Sequence, residues 1–465
     1  MKYVSTRGEA PPVGFLEAVL SGLAPDGGLY VPERWPTFSP DQIAAFAGRP
    51  YAEVAAKVLA AFADGEIPGE VITDICNEAY ATFTHAAVAP LKQLTPGVFL
   101  LELFHGPSLA FKDVAMQLLA RLYDHALGAQ GRQMTIVCAT SGDTGGAAVE
   151  AFRGRSNVKI VAMFPAGRIS EVQRRFMTTA LDANVRTVAV DGDFDDCQAI
   201  LKEMFRDEQF ARAVDLSAVN SINFARIAAQ SVYYFTAAAA LGAPARPVAF
   251  AVPTGNFGDA FAGYVAVKMG LPIERIIIAT NSNDIVARAV EEGRYARGPA
   301  VATQSPAMDI QVSSNFERLY FEAVGRDGLE TGRAFAAFAA SGAFDIPPIA
   351  RAAIAALFRG VSVSEAETAR TMLSTLNETG ELVDPHTAVA LAGAKRVGPA
   401  RATTPVVALS TAHAAKFPQA VKAATGVLPD TPRSAQGLAA KAERFDRLAA
   451  DAAAVKAYVR DFVKA

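Results

Sequence analysis

One lysine stands out as a candidate reactive amine. Residues 104–113 read FHGPSLAFKD, in which Gly106-Pro107 predicts a tight turn and Lys112 follows in an apolar run, just before a predicted helix at 114–122. Burial there would favour the neutral amine, which attacks carbonyl groups and forms Schiff bases. On this stretch alone, a surface lysine whose stem packs along a helix start is an equally good interpretation.

A second candidate is a loop of small hydroxyl residues and glycines. Residues 140–146 read TSGDTGG and follow a predicted strand that ends at Ala139. Main-chain N–H groups in such a loop lie at the positive end of a helix and suit a carboxylate or a phosphate. An ordinary helix cap formed by Ser141, Asp143 or Thr144 would explain the same residues.

A third candidate is a glycine-rich loop that precedes a predicted helix at 260–269. Residues 253–259 read PTGNFGD, and the glycines would let the amides from Gly255 to Gly258 fold closely round a phosphate. The loop has neither GxGxxG nor GxxxxGK[ST], which argues against a nucleotide. A carboxylate aimed at a phosphate would repel it, so we expect Asp259 to cap the helix with its side chain turned aside.

Short β-branched runs alternate with helical patterns along most of the chain. This alternation predicts an α/β fold with two open, mostly parallel sheet domains and an N-terminal subdomain. In such sheets ligands bind beyond the carboxyl ends of the strands, so the site is expected in the cleft between the domains. The predicted boundaries are 1–90 for the N-terminal subdomain, 91–135 with 221–465 for the larger domain and 136–220 for the smaller domain.

Composition narrows the functional classes. A chain of 465 residues with 44 basic and 47 acidic side chains has a formal charge of −3 and no basic run, so nucleic acid is an unexpected partner. No secretory signal and no membrane-spanning apolar run is visible, which predicts a cytoplasmic protein. Three scattered cysteines predict reduced thiols, and five scattered histidines without ligand spacing predict no metal site.

A reactive lysine, an anion loop and a phosphate cup together fit pyridoxal phosphate, because its aldehyde, its carboxylate-bearing substrate and its phosphate need these three features. The chain also resembles the threonine synthase family, in the longer form of fungi and proteobacteria, within the fold type II pyridoxal phosphate enzymes. The resemblance is carried by nine segments in order, at 3–8, 24–32, 104–113, 139–145, 220–226, 255–259, 313–318, 384–387 and 410–413.

The resemblance implies roles for single residues in holding the cofactor. Lys112 would carry the cofactor as a Schiff base, and Asp143, where the wider group often has asparagine, would face the ring near its hydroxyl. Thr411 would approach the pyridine nitrogen through a neutral hydroxyl. The cofactor phosphate would be held by the main chain of Gly255, Asn256, Phe257 and Gly258.

Substrate contacts are implied on two segments. Ser141 and Thr144 would bind the substrate carboxylate. Arginine suits a phosphate through its planar fork, although a helix-surface arginine is the structural alternative for Arg226. The candidates for the leaving phosphate are Asn220, Ser221, Asn223 and Arg226.

The sequence leaves the interpretation of three further features of the motifs open. The segment 313–318 would support the site or form a domain contact. His386 and His413 are equally well explained as structural histidines. Ala414 stands where the family pattern leads us to expect proline, which leaves the geometry of that turn open.

The implied reaction converts O-phospho-L-homoserine and water to L-threonine and phosphate, by γ-elimination and then β-hydration, as the last step of threonine biosynthesis. Lys112 would serve as a mobile base. One alternative is an ammonia-lyase or β-replacement enzyme acting on serine, threonine or phosphoserine. Another is a related protein that binds phosphorylated ligands without catalysis. No membrane or nucleic acid partner is expected, and a monomer and a homodimer both remain open.

Overall fold

A computed structural model gives the fold and describes residues 1–140 and 142–464. Helices and strands are numbered in chain order. The N-terminal part consists of helices around a two-stranded antiparallel sheet, β1 with β2. Its elements are β1 (Tyr3–Ser5), α1 (Phe15–Ser21), β2 (Tyr30–Pro32), α2 (Pro40–Ala44), α3 (Tyr51–Ala63) and α4 (Gly69–Tyr80).

The next part alternates strands with helices, as the β-branched runs predict. The helix that starts at Lys112 extends well beyond the predicted range 114–122. The elements are β3 (Leu91–Thr95), β4 (Val98–Glu102), α5 (Lys112–Ala129), β5 (Met134–Ala139), α6 (Asp143–Phe152), β6 (Val158–Pro165), α7 (Glu171–Thr178), β7 (Val185–Asp191), α8 (Phe194–Arg206), α9 (Glu208–Ala213) and β8 (Leu216–Ser217).

The last part continues the alternation and ends in a long helix. Short 3₁₀ turns lie at Pro306–Met308, Ala414–Lys416, Arg433–Ala435 and Leu438–Ala440. The elements are α10 (Phe224–Ala240), β9 (Val248–Pro253), α11 (Gly258–Lys268), β10 (Ile273–Thr280), α12 (Ile285–Glu292), β11 (Arg294–Ala296), α13 (Phe316–Ala323), α14 (Gly328–Ser341), β12 (Ala343–Asp345), α15 (Pro348–Ala355), β13 (Phe358–Ser362), α16 (Glu365–Thr379), α17 (Pro385–Val397), β14 (Val406–Ser410), α18 (Pro418–Thr425), β15 (Asp446–Ala449) and α19 (Ala452–Lys464).

Two larger sheets organise the chain. The described residues form a six-stranded sheet in the order β13-β10-β9-β14-β4-β3, parallel except for β3. They also form a five-stranded parallel sheet in the order β15-β7-β6-β5-β8. The inner strands β9 and β14 are buried along their whole length, which is typical of parallel sheets covered by helices on both faces. The α/β prediction is confirmed.

One part of the predicted domain boundaries is wrong. Residues 446–464 fall in the predicted larger domain, whereas β15 pairs with β7 of the five-stranded sheet. Val455 and Val459 of α19 pack in the same apolar cluster as Ile200 of α8. The chain therefore returns to the smaller sheet at its end. β5 also begins at Met134, inside the range given to the larger domain. The other boundaries stay a prediction.

The strand order brings the candidate loops to one place. β4, β14 and β9 are parallel neighbours in the six-stranded sheet, so the segments that follow them share one edge. Lys112 lies beyond β4, Thr411 follows β14, and residues 255–258 follow β9. Asp143 lies beyond β5 of the other sheet, and its carboxylate comes within 3.8 Å of Lys112 Nζ.

The described residues contain neither a candidate membrane-spanning helix nor a candidate metal-binding cluster. No helix there is both long and apolar enough to cross a membrane. No group of three or more histidine, cysteine, aspartate or glutamate side chains within residues 1–140 and 142–464 is placed to hold a metal ion. The three cysteines are buried and free.

Candidate active site

The turn before Lys112 is fastened to the segment that follows β14. The N–H of Phe111 donates to the carbonyl of Thr411 at 2.8 Å, and the N–H of His413 donates to the carbonyl of Leu109 at 3.1 Å. Leu109 adopts a left-handed conformation with φ +61°. These bonds fix the first residue of α5, Lys112, over the carboxyl end of the larger sheet.

A buried carboxylate closes the same turn from inside. Asp113 accepts hydrogen bonds from the Ser108 N–H at 2.8 Å and the Ser108 hydroxyl at 2.7 Å. Burial raises the pKa of Asp113 to about 6. Gly106 lies directly against this aspartate, since a Cβ there would be 2.4 Å from the Asp113 Cβ. The turn sequence is therefore required by packing and hydrogen bonding as well as by backbone geometry.

Lys112 lies in a largely buried, charged environment. Burial lowers the pKa of its amine to about 8; the nearby Asp143 carboxylate opposes this effect, and the cations of Lys416 and Arg226 reinforce it. The distance from Lys112 Nζ to Asp143 Oδ2 is 3.8 Å. An appreciable fraction of Lys112 is therefore neutral near pH 8, as a carbonyl-attacking amine requires.

Asp143 is held by residues that sequence reasoning did not assign to the site. Its Oδ1 accepts from Lys416 Nζ at 2.9 Å and from Gln173 Nε2 at 3.0 Å. Burial acts to raise its pKa, but the ammonium groups of Lys416 and Lys112 hold the pKa well below its usual range. Gly142 makes room for this arrangement, because a Cβ there would lie 2.5 Å from Gln173. The only sequence signal for Lys416 is a lysine within the apolar run AAKF.

The glycine-rich loop is clamped through its carbonyl groups. Ser313 Oγ donates to the Gly255 carbonyl at 2.7 Å, and Asn315 donates to the Asn256 carbonyl from its N–H at 3.1 Å and its Nδ2 at 3.0 Å. In a trans peptide the next N–H points the opposite way from the carbonyl. The N–H groups of Asn256 and Phe257 therefore face away from the clamp.

These amides are available for an anion. Within residues 1–140 and 142–464, the N–H groups from Gly255 to Gly258 have no hydrogen-bond acceptor. Phe257 caps α11 with φ +62°, and its ring is buried. Free amides at the start of an eleven-residue helix suit a phosphate. That this loop, called the phosphate cup below, holds the cofactor phosphate stays a prediction.

Asp259 does not play the predicted capping role. Phe257 occupies the cap position, while the Asp259 carboxylate accepts from the Tyr233 hydroxyl at 2.5 Å and the Tyr234 hydroxyl at 3.0 Å. Burial raises its pKa to about 7. The expectation that its side chain turns aside from the loop is correct, and the tyrosines of α10 are the reason.

Arg226 lies on α10 as a buried cation. It is 4% exposed, its Nε has no hydrogen-bond partner, and no carboxylate lies within ion-pair distance of it among the described residues. Burial lowers its pKa to about 10. A helix-surface arginine would be solvated, so the surface alternative is wrong. A buried guanidinium without a counterion among the described residues is suited to bind an anion.

The other residues of the 220–226 segment have different surroundings. The Ser221 carbonyl accepts from Asn315 Nδ2 at 3.0 Å, which places Ser221 beside the phosphate cup. Asn220 lines a cleft of about 770 Å³ with Leu16 and Leu216, which does not include Lys112. The assignment of Asn220 to the leaving phosphate stays a prediction.

Asn223 is a structural residue in this fold. Its Nδ2 donates to the Val19 carbonyl at 2.7 Å and to the Tyr123 hydroxyl at 3.2 Å, and its Oδ1 accepts from the Ala225 N–H as the cap of α10. Because its donors and its acceptor are used, the prediction that it binds the substrate phosphate is corrected.

Two other predicted residues, Thr144 and Thr411, lie in the segments that follow β5 and β14. Thr144 is the second residue of α6, and Thr411 is buried beside the turn of Lys112. Neither hydroxyl has a hydrogen-bond partner in the part of the chain that the structure describes. Ser141, predicted to bind the substrate carboxylate, lies outside the described residues.

Both histidines in question make local hydrogen bonds. His386 Nδ1 lies 2.6 Å from Asp384 Oδ2, and its Nε2 accepts from the Ala307 N–H at 3.3 Å. His413 Nδ1 accepts from the Ala415 N–H and caps a 3₁₀ turn at Ala414–Lys416. The turn therefore forms with alanine where proline was expected.

The site carries excess positive charge. It contains the amine of Lys112 and the cations of Lys416 and Arg226, whereas only the carboxylates of Asp143 and Asp113 are close enough to the Lys112 amine to oppose these cations. With the free amides of the cup, this charge suits a ligand that has both an aldehyde and a phosphate, followed by a phosphorylated amino acid. The residues therefore fit pyridoxal phosphate.

Family models cover almost the whole chain. They are described as Threonine synthase N terminus, at residues 2–80, Pyridoxal-phosphate dependent enzyme, at residues 84–412, and Threonine synthase, C-terminal, at residues 387–459. The chain belongs to the threonine synthase family. The second model places this family among the pyridoxal phosphate-dependent enzymes.

Individual relatives agree over full length. A threonine synthase of Pseudomonas aeruginosa is 48% identical over 460 residues, covering 99% of this chain and 98% of the relative. The crystal structure of a pyridoxal phosphate-bound threonine synthase from Brucella melitensis is 53% identical, with a TM-score of 0.98 and 100% of both chains covered. The yeast threonine synthase structure is 36% identical, with a TM-score of 0.94 over 100% of this chain and 99% of the yeast chain.

These findings confirm the family, the fold class, the enzymatic activity and the cofactor that the sequence predicts. The chain is a pyridoxal phosphate-dependent enzyme of the threonine synthase family. The assignments of single residues stay predictions.

Asn315 should be required for tight cofactor binding. In Asn315→Ala the Ser221 carbonyl loses its side-chain donor, and the Asn256 carbonyl keeps only the main-chain N–H at position 315, so the dissociation constant of pyridoxal phosphate should rise about tenfold or more. Equilibrium dialysis against cofactor-free protein measures this constant. Asn184→Ala is the matched control, because Asn184 Nδ2 also donates to buried carbonyls, but in the smaller sheet. Equal affinity losses in both variants would contradict the clamp.

The rate of cofactor attachment should depend on the lowered pKa of Lys112. The amine is protonated below about pH 8 and neutral above it, so the rate at which pyridoxal phosphate joins the cofactor-free protein should rise through pH 8 and then level off. Stopped-flow absorbance between pH 6 and pH 11 measures this rate. N-acetyl-lysine, with an ordinary pKa of about 10.4, is the control. A protein profile that coincides with this control would contradict the assignment.

Proposed function

We propose that Lys112, Asp143, Arg226 and the cup at 255–258 carry out the threonine synthase reaction on O-phospho-L-homoserine. The observation that supports this assignment best is the position of the Lys112 amine. It lies 3.8 Å from Asp143 where the carboxyl ends of both sheets meet, with the unpaired cation of Arg226 nearby.

The cofactor would be held by residues of both sheets. Lys112 would hold its aldehyde carbon, the amides of Gly255, Asn256, Phe257 and Gly258 would hold its phosphate, and Asp143 and Thr411 would bind at its ring. When bound, pyridoxal phosphate supplies an electron sink for the charge that develops at the substrate Cα. The clamp of Ser313 and Asn315 on the loop carbonyls orients the amides before any ligand arrives.

The substrate would lie between the anion loop and α10. Ser141 and Thr144 bind its carboxylate, while Arg226 and Ser221 bind its phosphate. A guanidinium that is already desolvated loses little further hydration when the phosphate arrives, so its interaction with that group is strong. Asn223 is left out because its amide is used within the fold.

Lys112 moves the protons. Its amine would take the proton from Cα, pass it to the phosphate group of the substrate and, neutral again, take one from Cβ as hydrogen phosphate leaves from Cγ. The Lys112 ammonium would then give its proton to Cγ, and water would add its hydroxyl to Cβ and its proton to Cα, which gives L-threonine. One flexible amine serves neighbouring carbon atoms better than a carboxylate fixed by hydrogen bonds, such as Asp113.

The predicted cellular context is part of the proposal. The balanced charge of −3 supports a small-molecule enzyme without a nucleic acid partner. We also propose, from the sequence, that the protein is cytoplasmic and that it is a monomer or a homodimer. The site would lie in the cleft between the two sheet domains.

Product analysis tests the reaction. The protein, incubated with pyridoxal phosphate and O-phospho-L-homoserine, should release phosphate and threonine in equal amounts with little 2-oxobutanoate. Lys112→Ala should lose turnover by several orders of magnitude, and borohydride should fix the cofactor on Lys112 in the unaltered protein. Keto acid and ammonia as main products would favour a lyase. Ligand binding that persists without any turnover would favour a binding protein.

Arg226 should act on the phosphorylated substrate rather than on the cofactor. Arg226→Gln should lower kcat/KM for O-phospho-L-homoserine by roughly 10- to 100-fold, because a charge-assisted bond to phosphate is lost. Steady-state kinetics measure this ratio, and the cofactor dissociation constant should change less than twofold. Arg288→Gln is the control, since Arg288 is a partly exposed arginine that already forms an ion pair with Asp284. An equal loss of cofactor affinity and catalysis would assign Arg226 to the cofactor instead.

A further inference from the structure

A second lysine, Lys416, lies in the site without a part in the reaction derived above. It ends the 3₁₀ turn Ala414–Lys416 and is 1% exposed. Its Nζ donates to the Ser108 carbonyl at 2.8 Å and to Asp143 Oδ1 at 2.9 Å. The ring of Phe176 lies 5.5 Å from the same ammonium. A lysine buried to this degree is costly unless its charge is used.

The two oxygens of Asp143 have different neighbours. Oδ1 accepts from both Lys416 and Gln173, so it is fully engaged. Oδ2 accepts no hydrogen bond from the described residues, and Lys112 Nζ lies 3.8 Å from it. Lys416 and Gln173 therefore fix the rotation of the carboxylate and leave its second oxygen directed toward the reactive amine.

Four charged side chains act on the amine of Lys112. Lys112 is faced by Asp143 on α6, by Asp113 on its own helix, by Lys416 on the turn after β14 and by Arg226 on α10. Asp143 alone would favour a proton on Lys112, whereas Lys416 alone would disfavour it. Because both lie close to Lys112, their effects oppose each other.

We propose that Lys416 is a positioning residue that neutralises Asp143 and aims its Oδ2 at Lys112, so that the ion pair as a unit sets the protonation of the Lys112 nitrogen. This inference rests on the proposed function, since it concerns the nitrogen that joins the cofactor. Lys416 acts through Asp143 and needs no contact with substrate.

An acceptor near the Lys112 nitrogen that belongs to a buried ion pair carries a desolvation cost for both charges. Replacing a buried pair by neutral groups of similar volume is often neutral or stabilising, whereas removing one partner leaves an uncompensated charge. Asparagine at 143 with an apolar residue at 416 would thus be a tolerated neutral pair. This gives a variant that tests the charge without requiring the fold to bear an isolated ion.

Titration of the visible absorbance of the bound cofactor tests the proposal in the holoenzyme. Lys416→Met should move the pH midpoint upward, because a cation near Lys112 is lost, and Asp143→Asn should move it downward. Each shift should be roughly one pH unit or more. The double variant Asp143→Asn with Lys416→Met should return close to the unaltered protein. Lys159→Met is the control, because among the described residues Lys159 Nζ donates to the Phe462 and Val463 carbonyls of α19.

The outcomes separate this proposal from the proposed function. Asp143→Asn and the double variant differ only at Lys416, so an upward shift between them is expected even where Lys416→Met alone does not fold. Unchanged midpoints in all variants, with only a lower Tm, would show a purely structural Lys416 and overturn the proposal. Borohydride fixation on a lysine other than Lys112 in the unaltered protein would instead overturn the proposed function.

Discussion

The carboxylate of Asp143 between two ammonium groups is the contact on which the site depends. Asp143 begins α6 of the smaller sheet, whereas Lys112 and Lys416 belong to segments that follow strands of the larger sheet. Removing such charges from water is costly, and their mutual attraction offsets that cost only in one close geometry. The pairing therefore constrains how the edges of the two sheets meet, and it places the reactive amine at that junction.

The N-terminal part of the chain serves the same site from a distance. Thr6 Oγ1 donates to Glu317 at 2.7 Å, and the fully buried Arg318 donates to the carbonyls of Tyr30 and Ile222. These residues adjoin Asn315, which clamps the phosphate cup. The segment 313–318 thus contacts both the loop at 255–258 and the N-terminal strands, which is compatible with both interpretations left open by the sequence.

The parts predicted from sequence are those with local causes. A strand, a glycine-rich loop and a helix follow one another in the sequence, so the cup and the loop at 140–146 could be found from spacing alone. The pairing of Lys416 with Asp143 joins residues far apart in the chain and depends on a 3₁₀ turn, and no local pattern indicates it. Similarly, β15 lies mostly exposed at the edge of its sheet and lacks an apolar run, so its return to the smaller sheet left no sequence signal. Asn223 shows the converse, because a residue within a functional motif is used to cap a helix.

The buried cation of Arg226, which has no ion-pair partner among the described residues, links stability to ligand binding. Without an anion, a buried guanidinium keeps its desolvation cost and gains little in return, so this part of α10 lowers the stability of the fold. A phosphate that binds there recovers the missing interaction, and only a ligand that brings an anion to that depth can do so.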